Sequence, residues 1–433
     1  MHRLLLAAAL AVLAIPASAQ TASAPAGETV IHAGRLLDRP GRPPRGPATI
    51  IVRAGRIAAV LDGLAPAPAG ARLIDLSDRF VLPGLIDSHV HLASDRAGNE
   101  RLLAGFTEAV ELGAFEALWN ARKTLRAGFT TVRNLGDEGA VLALREAIAR
   151  GWVDGPRIVD AGRSISATAG HMDARLGLSD EIAEHIPHDN LCDGPDECRR
   201  AVRLQVGRGA DVIKIATTGG VNSRIGAGLG AQLFEDEVKA LIETAHLYNK
   251  KVAVHAHGPD GIALALKHGA DSIEHGTMLD DAGIALLRQT GAYYVPTLST
   301  VNGYIERLAA NRDAYPPEVR AKIEWRIGIT GKGLEKAVPA GVRVAFGTDA
   351  GVSKHGRNAD EFELLVKHGM TPMAAIEAAT VNAADLLGLA DQIGSIEPGK
   401  SADIIAVAGD PLADVRALKQ VGFVMRAGNV VAE

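Results

Sequence analysis

Residues 81–92 read Val81-Leu-Pro-Gly-Leu-Ile-Asp-Ser-His-Val-His-Leu92, an apolar run that ends in two histidines two positions apart. Side chains alternate across a strand with period two, so His89 and His91 point to one side while Ile86, Ser88 and Val90 point to the other. Two imidazoles aimed together suggest a metal, because neutral imidazole is the commonest metal ligand. A His-x-His pair is also an ordinary way to end a strand. The metal reading therefore depends on further ligands arriving at the ends of later strands.

Seven more short apolar segments follow residues 85–90, at 130–133, 157–160, 211–215, 251–254, 272–274, 293–295 and 342–346. Amphipathic stretches separate many of them, at 103–126, 196–208, 235–248 and 317–337. Repeated β-α units favour a parallel sheet, and eight of them favour a closed (β/α)8 TIM barrel spanning residues 83–391. Strand-like pieces at 29–32, 48–52, 56–60 and 72–75, and again at 403–408 and 421–429, are too small to be stable apart. They are expected to pair into a small β-sandwich-like domain built from both termini, residues 20–82 plus 392–433.

In such a barrel, chemistry sits at the carboxyl ends of the strands. Here the first strand delivers His89 and His91, the third leads to His171, the fifth ends in His255 and His257, and the sixth in His275. Six of the 14 histidines thus fall at or just past strand ends, which chance scatter does not readily produce. His255 and His257 share a strand face, so spacing leaves open which is a ligand and which meets substrate. Asp349, at the mouth of the last strand, is either a helix N-cap or a carboxylate that binds metal and takes a proton from water.

Lys214 lies in Asp211-Val-Ile-Lys-Ile215, a strand expected to be buried on both faces, where an unpaired lysine is rare. Its stem can pack while its ammonium reaches a carboxylate. With histidines around it, the sharper reading is that burial lowers its pKa and the neutral amine captures carbon dioxide. The resulting carbamate is an anionic bridge between two cations.

The chain has 433 residues, 47% hydrophobic and 22% charged, with 48 glycines, which fits an α/β protein with many short connections. A net charge of −5 and the lack of basic runs give no nucleic-acid footprint and no polybasic membrane patch. Residues 1–19 read as a secretory signal peptide: His2 and Arg3, the apolar run 4–15, then Ala17-Ser18-Ala19 before the cleavage point. The run is too short to span a bilayer comfortably, and no other stretch is long enough. The mature protein is thus expected in a periplasm or secreted, without a membrane span. Cys192 and Cys198 can form a small disulfide loop in such a compartment, although Pro195 opening a helix between them works against the approach.

The chain resembles the amidohydrolase superfamily, in its imidazolonepropionase-like and prolidase-like branch of exported metal-dependent dipeptidases and carboxypeptidases. The matching stretches are 82–91, Gly209-Ala-Asp-Val-Ile-Lys-Ile215, Val254-His-Ala-His-Gly258, Ile273-Glu-His-Gly276, Gly347-Thr-Asp-Ala350 and Gly394-Ser-Ile-Glu-Pro-Gly-Lys-Ser-Ala-Asp403. The resemblance implies a site for two divalent cations, usually zinc. His89 and His91 would hold the more buried ion with Asp349, His255 and His275 the more exposed one, and carboxylated Lys214 would bridge them. His257 and His171 match positions that contact substrate.

Similar proteins cleave Xaa-Pro, Xaa-Arg or Xaa-Lys dipeptides, N-acyl amino acids and the amide of ochratoxin A, all with a free carboxylate beside the scissile amide. They often form homo-oligomers. An arginine is therefore expected near the barrel mouth, with Arg163, Arg224 and Arg357 as candidates in loops and Tyr304 as a pocket wall. The alternatives are a cyclic-amide hydrolase of the imidazolonepropionase type and an inactive barrel serving as a binding module. Export and two-metal ligation argue against the first, and the complete ligand set against the second.

Overall fold

The computed structural model describes residues 27–96, 98–137, 139–224 and 228–432. The signal peptide expected at 1–19 lies outside the described residues. Four strands come first: β1 (Thr29–Leu36), β2 (Ala48–Arg53), β3 (Arg56–Asp62) and β4 (Arg72–Pro83). Seven more follow at intervals, β5 (Leu85–Val90), β6 (Phe129–Asn134), β7 (Arg157–Asp160), β8 (Ile213–Ala216), β9 (Val252–Ala256), β10 (Ser272–His275) and β11 (Tyr293–Val295). The chain ends in β12 (Ile404–Val407), β13 (Val421–Arg426) and β14 (Asn429–Ala432).

The first and last groups meet in one seven-stranded sheet, ordered β14-β13-β12-β4-β1-β2-β3. The joint between the chain ends is the antiparallel pairing of β12 with β4, where Ile404 faces Pro83 and Ile405 faces Leu82. That pairing delivers β4 to the start of the barrel, since Gly84 N donates to Asp403 O (2.8 Å) and β5 begins at the next residue. The expected strand 421–429 is two strands, because Ala427 (φ +49°) and Gly428 (φ +79°) turn the chain back on itself.

The barrel wall is parallel throughout: β5-β6-β7 form one run and β8-β9-β10-β11 the other. Two short links close the ring. Ile165 joins the first run to the second, its N–H donating to Lys214 O (2.8 Å) and its carbonyl accepting from Ala216 N (2.9 Å). On the other side, segment 343–350 joins β11 to β5 through Tyr294 N to Arg343 O (2.9 Å), Ser88 N to Phe346 O (2.8 Å) and His91 N to Ala350 O (2.7 Å). The eighth segment is thus present as bridging backbone rather than as a continuous strand. Phe346 anchors it, its ring packed on Phe129 and Phe362 at centroid distances of 5.5 and 4.5 Å. Such pairs add roughly 0.5–1.5 kcal/mol each beyond their area burial.

β5, β6, β8, β9, β10 and β11 are buried on both faces. That is expected of a parallel sheet covered by helices, and it makes every charge in these strands conspicuous. Two helical expectations fail locally. The stretch 103–126 is two helices, Gly98–Thr107 and Val110–Arg126, because the Thr107 hydroxyl turns back on Leu103 O (2.9 Å) and Ala109 is extended. The stretch 317–337 is likewise Pro317–Gly328 and Lys332–Ala337, parted at Gly331 (φ +79°).

Cys192 and Cys198 are disulfide-bonded with their Cα atoms 4.9 Å apart. Pro195 does open the helix Pro195–Gly207, but Gly194 (φ +89°) turns the chain before it and brings Cys192 within reach. No helix among the described residues is long and apolar enough to cross a membrane.

Candidate active site

At the carboxyl ends of β5, β9 and β10 the chain gathers its histidines. Ring centroids lie 5.4 Å apart for His89–His91, 5.0 Å for His89–His275, 4.7 Å for both His255–His275 and His255–His257, and 5.0 Å for His257–His275. His171 reaches in from the loop after β7 and stacks on His255 at 4.1 Å. All six histidines singled out from the sequence therefore share one cluster. His91 lies one residue past the end of β5, yet still on the side of His89.

Each imidazole is fixed through one nitrogen. His89 Nδ1 meets Glu274 Oε2 (2.8 Å), His91 Nδ1 the carbonyl of Gly136 (3.0 Å), and His255 Nε2 the carbonyl of Gly219 (3.4 Å). Hydroxyl oxygens hold the others: Thr277 on His257 Nδ1 (2.8 Å), Thr297 on His275 Nδ1 (2.7 Å) and Ser223 on His171 Nδ1 (2.5 Å). A carbonyl or carboxylate only accepts, so it draws the ring proton to the nitrogen it meets and leaves the other lone pair free. Thr297 acts the same way toward His275, because its own proton goes to Pro296 O (2.8 Å).

Burial keeps five of these rings neutral. It pushes His89 down to about 4 and His171 to about 3, and holds His255, His257 and His275 well below the ordinary histidine range. Neutral imidazole is the form that binds metal. The same shifts carry a signed prediction for metal-free protein. Below pH 6.5 the unfolded chain binds protons that folded His89 refuses until about pH 4 and His171 until about pH 3. The histidines' contribution to the stability of chelator-treated protein, read from thermal melts, should therefore fall as the pH drops from about 6.5 toward 4.

Asp349 faces the first histidine pair, its Oδ1 lying 3.6 Å from His89 Nε2 and 3.3 Å from His91 Nε2. Burial opposes its ionisation, but His89 and His91 hold it below the usual carboxylate range. It caps no described helix, the next one starting at Asp360. His275 (φ +69°), Thr297 (φ +49°) and Asp349 (φ +55°) all adopt left-handed backbone. Such conformations cost of order 1–3 kcal/mol each for residues other than glycine and concentrate at functional sites. His89, His275 and Asp349 offer ligand atoms that all lie within 4.8 Å of one another, a group able to hold a metal ion.

Lys214 lies in the wall of the same cluster, 1% exposed, and its Nζ has no hydrogen-bond partner among the described residues. Burial lowers its pKa to about 8, against the pull of Glu274 and Asp349. A buried amine without a partner among the described residues, its charge felt by His89, His171, His255, His275 and Asp349, matches a lysine that carries a further group. The donor set, imidazole nitrogen with carboxylate oxygen, suits zinc.

Glu274 and Arg133 went unnoticed in the sequence. Glu274 is fully buried and accepts from Arg133 Nη2 (2.7 Å), from Ser272 and from His89. Burial opposes its charge, yet Arg133 and His89 bring its pKa to about 2. Arg133 also donates to Ser88 O (2.5 Å), tying β6 to β5 beneath the histidines. The signal was available: both are charges in strands buried on both faces, the argument that marked Lys214.

The Amidohydrolase family pattern matches residues 80–431. The chain belongs to the amidohydrolase family. This amidohydrolase is 34% identical over 412 residues to an ochratoxinase of Aspergillus niger, covering 90% of this chain and 83% of that one. Its fold is similar to the crystal structure of a Xaa-Pro dipeptidase with bound methionine in the active site, at TM-score 0.88 and 39% identity over 93% of this chain and 99% of that one. It is also similar to a prolidase complexed with N-methylphosphonate-L-proline, at TM-score 0.85 and 31% identity over 94% and 100%. The amidohydrolase is a hydrolase acting on amide bonds.

The arginines expected at its mouth have partners of their own. Arg163 donates to Pro187 O (3.2 Å) and Asp189 (3.4 Å), and Arg357 pairs with Glu306 and Asp360 (2.7 Å to the latter). Arg224 lies against Gly177. Tyr304 is not in a loop but in the helix Thr300–Ala310, buried beside Tyr315 at 6.2 Å.

Gly220 fits closely under His171, where an added Cβ would lie 2.0–2.5 Å from three atoms of the imidazole ring. Pinned by Ser223 and stacked on His255, that ring has to move. A displacement of about 1 Å costs on the order of a hundredfold in rate, so Gly220→Ala is expected to lower kcat/KM by about that factor while the melting temperature stays near wild type.

Proposed function

We propose that this amidohydrolase is a two-zinc enzyme that cleaves the amide of dipeptides or N-acyl amino acids bearing a free carboxylate. The range extends to Xaa-Pro and Xaa-Arg dipeptides and the amide of ochratoxin A. The observation that carries the reading is the buried Lys214 amine, without a partner among the described residues, in the wall of six histidines and Asp349. In this reading His89, His91 and Asp349 would hold one cation, His255 and His275 the other, and Lys214, as a carbamate, would supply a carboxylate to both. The carbamate forms when the neutral amine's lone pair attacks the carbon of carbon dioxide and the nitrogen releases a proton.

When bound, the two cations would acidify water and polarise the scissile carbonyl. The chain's own groups do the rest. Asp349 uses Oδ1 against His89 and His91 and keeps Oδ2 to take the proton of the attacking water and hand it to the leaving nitrogen. His257, its Nδ1 committed to Thr277, presents Nε2 to the oxygen that becomes negative as the carbonyl turns tetrahedral. His171, braced by Ser223, borders the substrate on the opposite side of His255.

Methionine in the active site of one similar structure and N-methylphosphonate-L-proline complexed with another support a substrate with an amino-acid carboxylate. In the same reading residues 1–19 direct export, residues 20–82 with 392–433 form one unit, and residues 83–391 form the catalytic barrel. Screening the purified protein against dipeptides, N-acyl amino acids and ochratoxin A, with metal content measured in parallel, tests it. Turnover of at least one class by metal-loaded protein supports the proposal, and turnover confined to cyclic amides contradicts it.

A further inference from the structure

The loop between β7 and β8 carries His171, and a later stretch of the same loop, residues 190–193, pairs with the chain on either side of that histidine. Ser166 N donates to Asn190 O (3.4 Å) and Cys192 N to Ser166 O (3.0 Å), a parallel bridge between the two stretches. The buried side-chain amide of Asn190 donates to Ser164 O (2.8 Å) and Met172 O (3.3 Å), and the Asp193 carboxylate accepts from Thr168 N (3.0 Å). Residues 190–193 therefore grip the chain at 164, 166 and 168 before His171 and at 172 just after it. Ser166 Oγ adds a direct tie across the histidine by accepting from Met172 N (3.2 Å).

The gripping stretch is itself held by the Cys192–Cys198 disulfide. Cys198 lies on the helix Pro195–Gly207, buried with Ala201 and Val202, and Cys192 belongs to the same core. Two polar contacts back the bond: Asp193 N donates to Glu197 Oε2 (3.0 Å) and Gly194 N to Glu237 Oε1 (2.6 Å). The two cysteines are only 6 residues apart in sequence. A bridge over so short a loop removes less entropy from the unfolded chain than one over a long loop. Its main consequence is local, because it fastens residue 192 and its neighbours to a helix of the barrel wall. The other restraints on His171, Ser223 at its ring and Gln232 Oε1 at its N–H (3.0 Å), come from the loop after β8.

We propose that the Cys192–Cys198 disulfide positions His171, acting through Asn190 and the backbone of residues 190–193 to keep the imidazole stacked on His255. The proposal rests on the reading above in which His171 borders the substrate. It gives the bond a role in turnover beyond the stability of the barrel. Asn190, Cys192 and Cys198 all act through His171 and are positioning residues, not catalytic ones.

The test is a double-mutant cycle on the metal-loaded enzyme, with an N-acyl-L-methionine as substrate, that combines Cys192→Ala/Cys198→Ala with His171→Asn. Asn190→Ala, which keeps the disulfide, runs through the same cycle as a second variant. Changes that act through one shared contact are not additive, so loss of the disulfide is expected to lower kcat/KM about tenfold when His171 is present. In the His171→Asn background the further loss should stay within about twofold. Asn190→Ala should follow the same pattern, and metal content should match wild type in both. A bond that only stabilised the barrel would cost the same factor in either background. The nitrogen NMR signal of the His171 ring, assigned by its disappearance in His171→Asn, reads the position of the imidazole without turnover and should shift in both variants. The proposal is overturned if that signal stays in place, or if losing the disulfide lowers kcat/KM equally in both backgrounds. It is also overturned if that loss leaves kcat/KM unchanged while His171→Asn lowers it. A wild type that does not turn the substrate over, or a His171→Asn variant that does so unimpaired, removes the reading above instead, and the shifted ring signal then carries the positioning alone.

Discussion

Replacing Asp349 by asparagine is expected to lower kcat by about a thousandfold or more with the fold intact. Asparagine has the same shape and tolerates the left-handed backbone (φ +55°) that position 349 adopts. The chain around it should therefore keep its hydrogen bond from Asp349 N to His89 O (2.7 Å) and close the barrel as before. What disappears is the negative oxygen opposite His89 and His91 and the group proposed to carry the proton to the leaving nitrogen. General acid–base catalysis by one positioned group contributes typically 10²–10⁴-fold, and the lost ligand adds to that. Steady-state kinetics beside a melting curve decide it: near-normal turnover by Asp349→Asn would refute the assigned role.

Removing Lys214 should be as damaging for a different reason. A buried amine without partners costs the fold on the order of 1–3 kcal/mol, so Lys214→Ala trades that penalty against the cavity it leaves. Its melting temperature should stay close to wild type. Turnover should be abolished, because no other described side chain in the cluster can supply a bridging carboxylate from that point of the wall. With a pKa of about 8, roughly a tenth of the wild-type amine is neutral at pH 7 and able to add carbon dioxide. Activity assays of Lys214→Ala at saturating metal and bicarbonate check the expectation. Substantial activity in that variant would mean the lysine is only a packed side chain.

The barrel was readable because its strands are apolar on both faces, so eight short runs stood out between amphipathic stretches. The six histidines were readable because period-two spacing and strand ends say where side chains point. Breaks inside helices were not, since the stops at Ala109 and Gly331 depend on local backbone that the amphipathic pattern does not record. The eighth segment was legible in position but not in character, as its pairing with β11 and β5 is a matter of tertiary closure.

The partners of the histidines form another layer. Thr277, Thr297, Ser223 and the carbonyls of Gly136 and Gly219 are ordinary residues until the fold brings them to a ring nitrogen. Glu274 and Arg133 were within reach, because the burial argument applied to Lys214 applies to them without change.

The account comes down to a pair of divalent cations gripped by His89, His91, Asp349, Lys214, His255 and His275. Elemental analysis of purified, active enzyme before and after exhaustive chelation measures this directly. The prediction is two transition-metal ions per chain, lost together with activity and restored together on adding zinc; full activity in protein that holds no metal would contradict it.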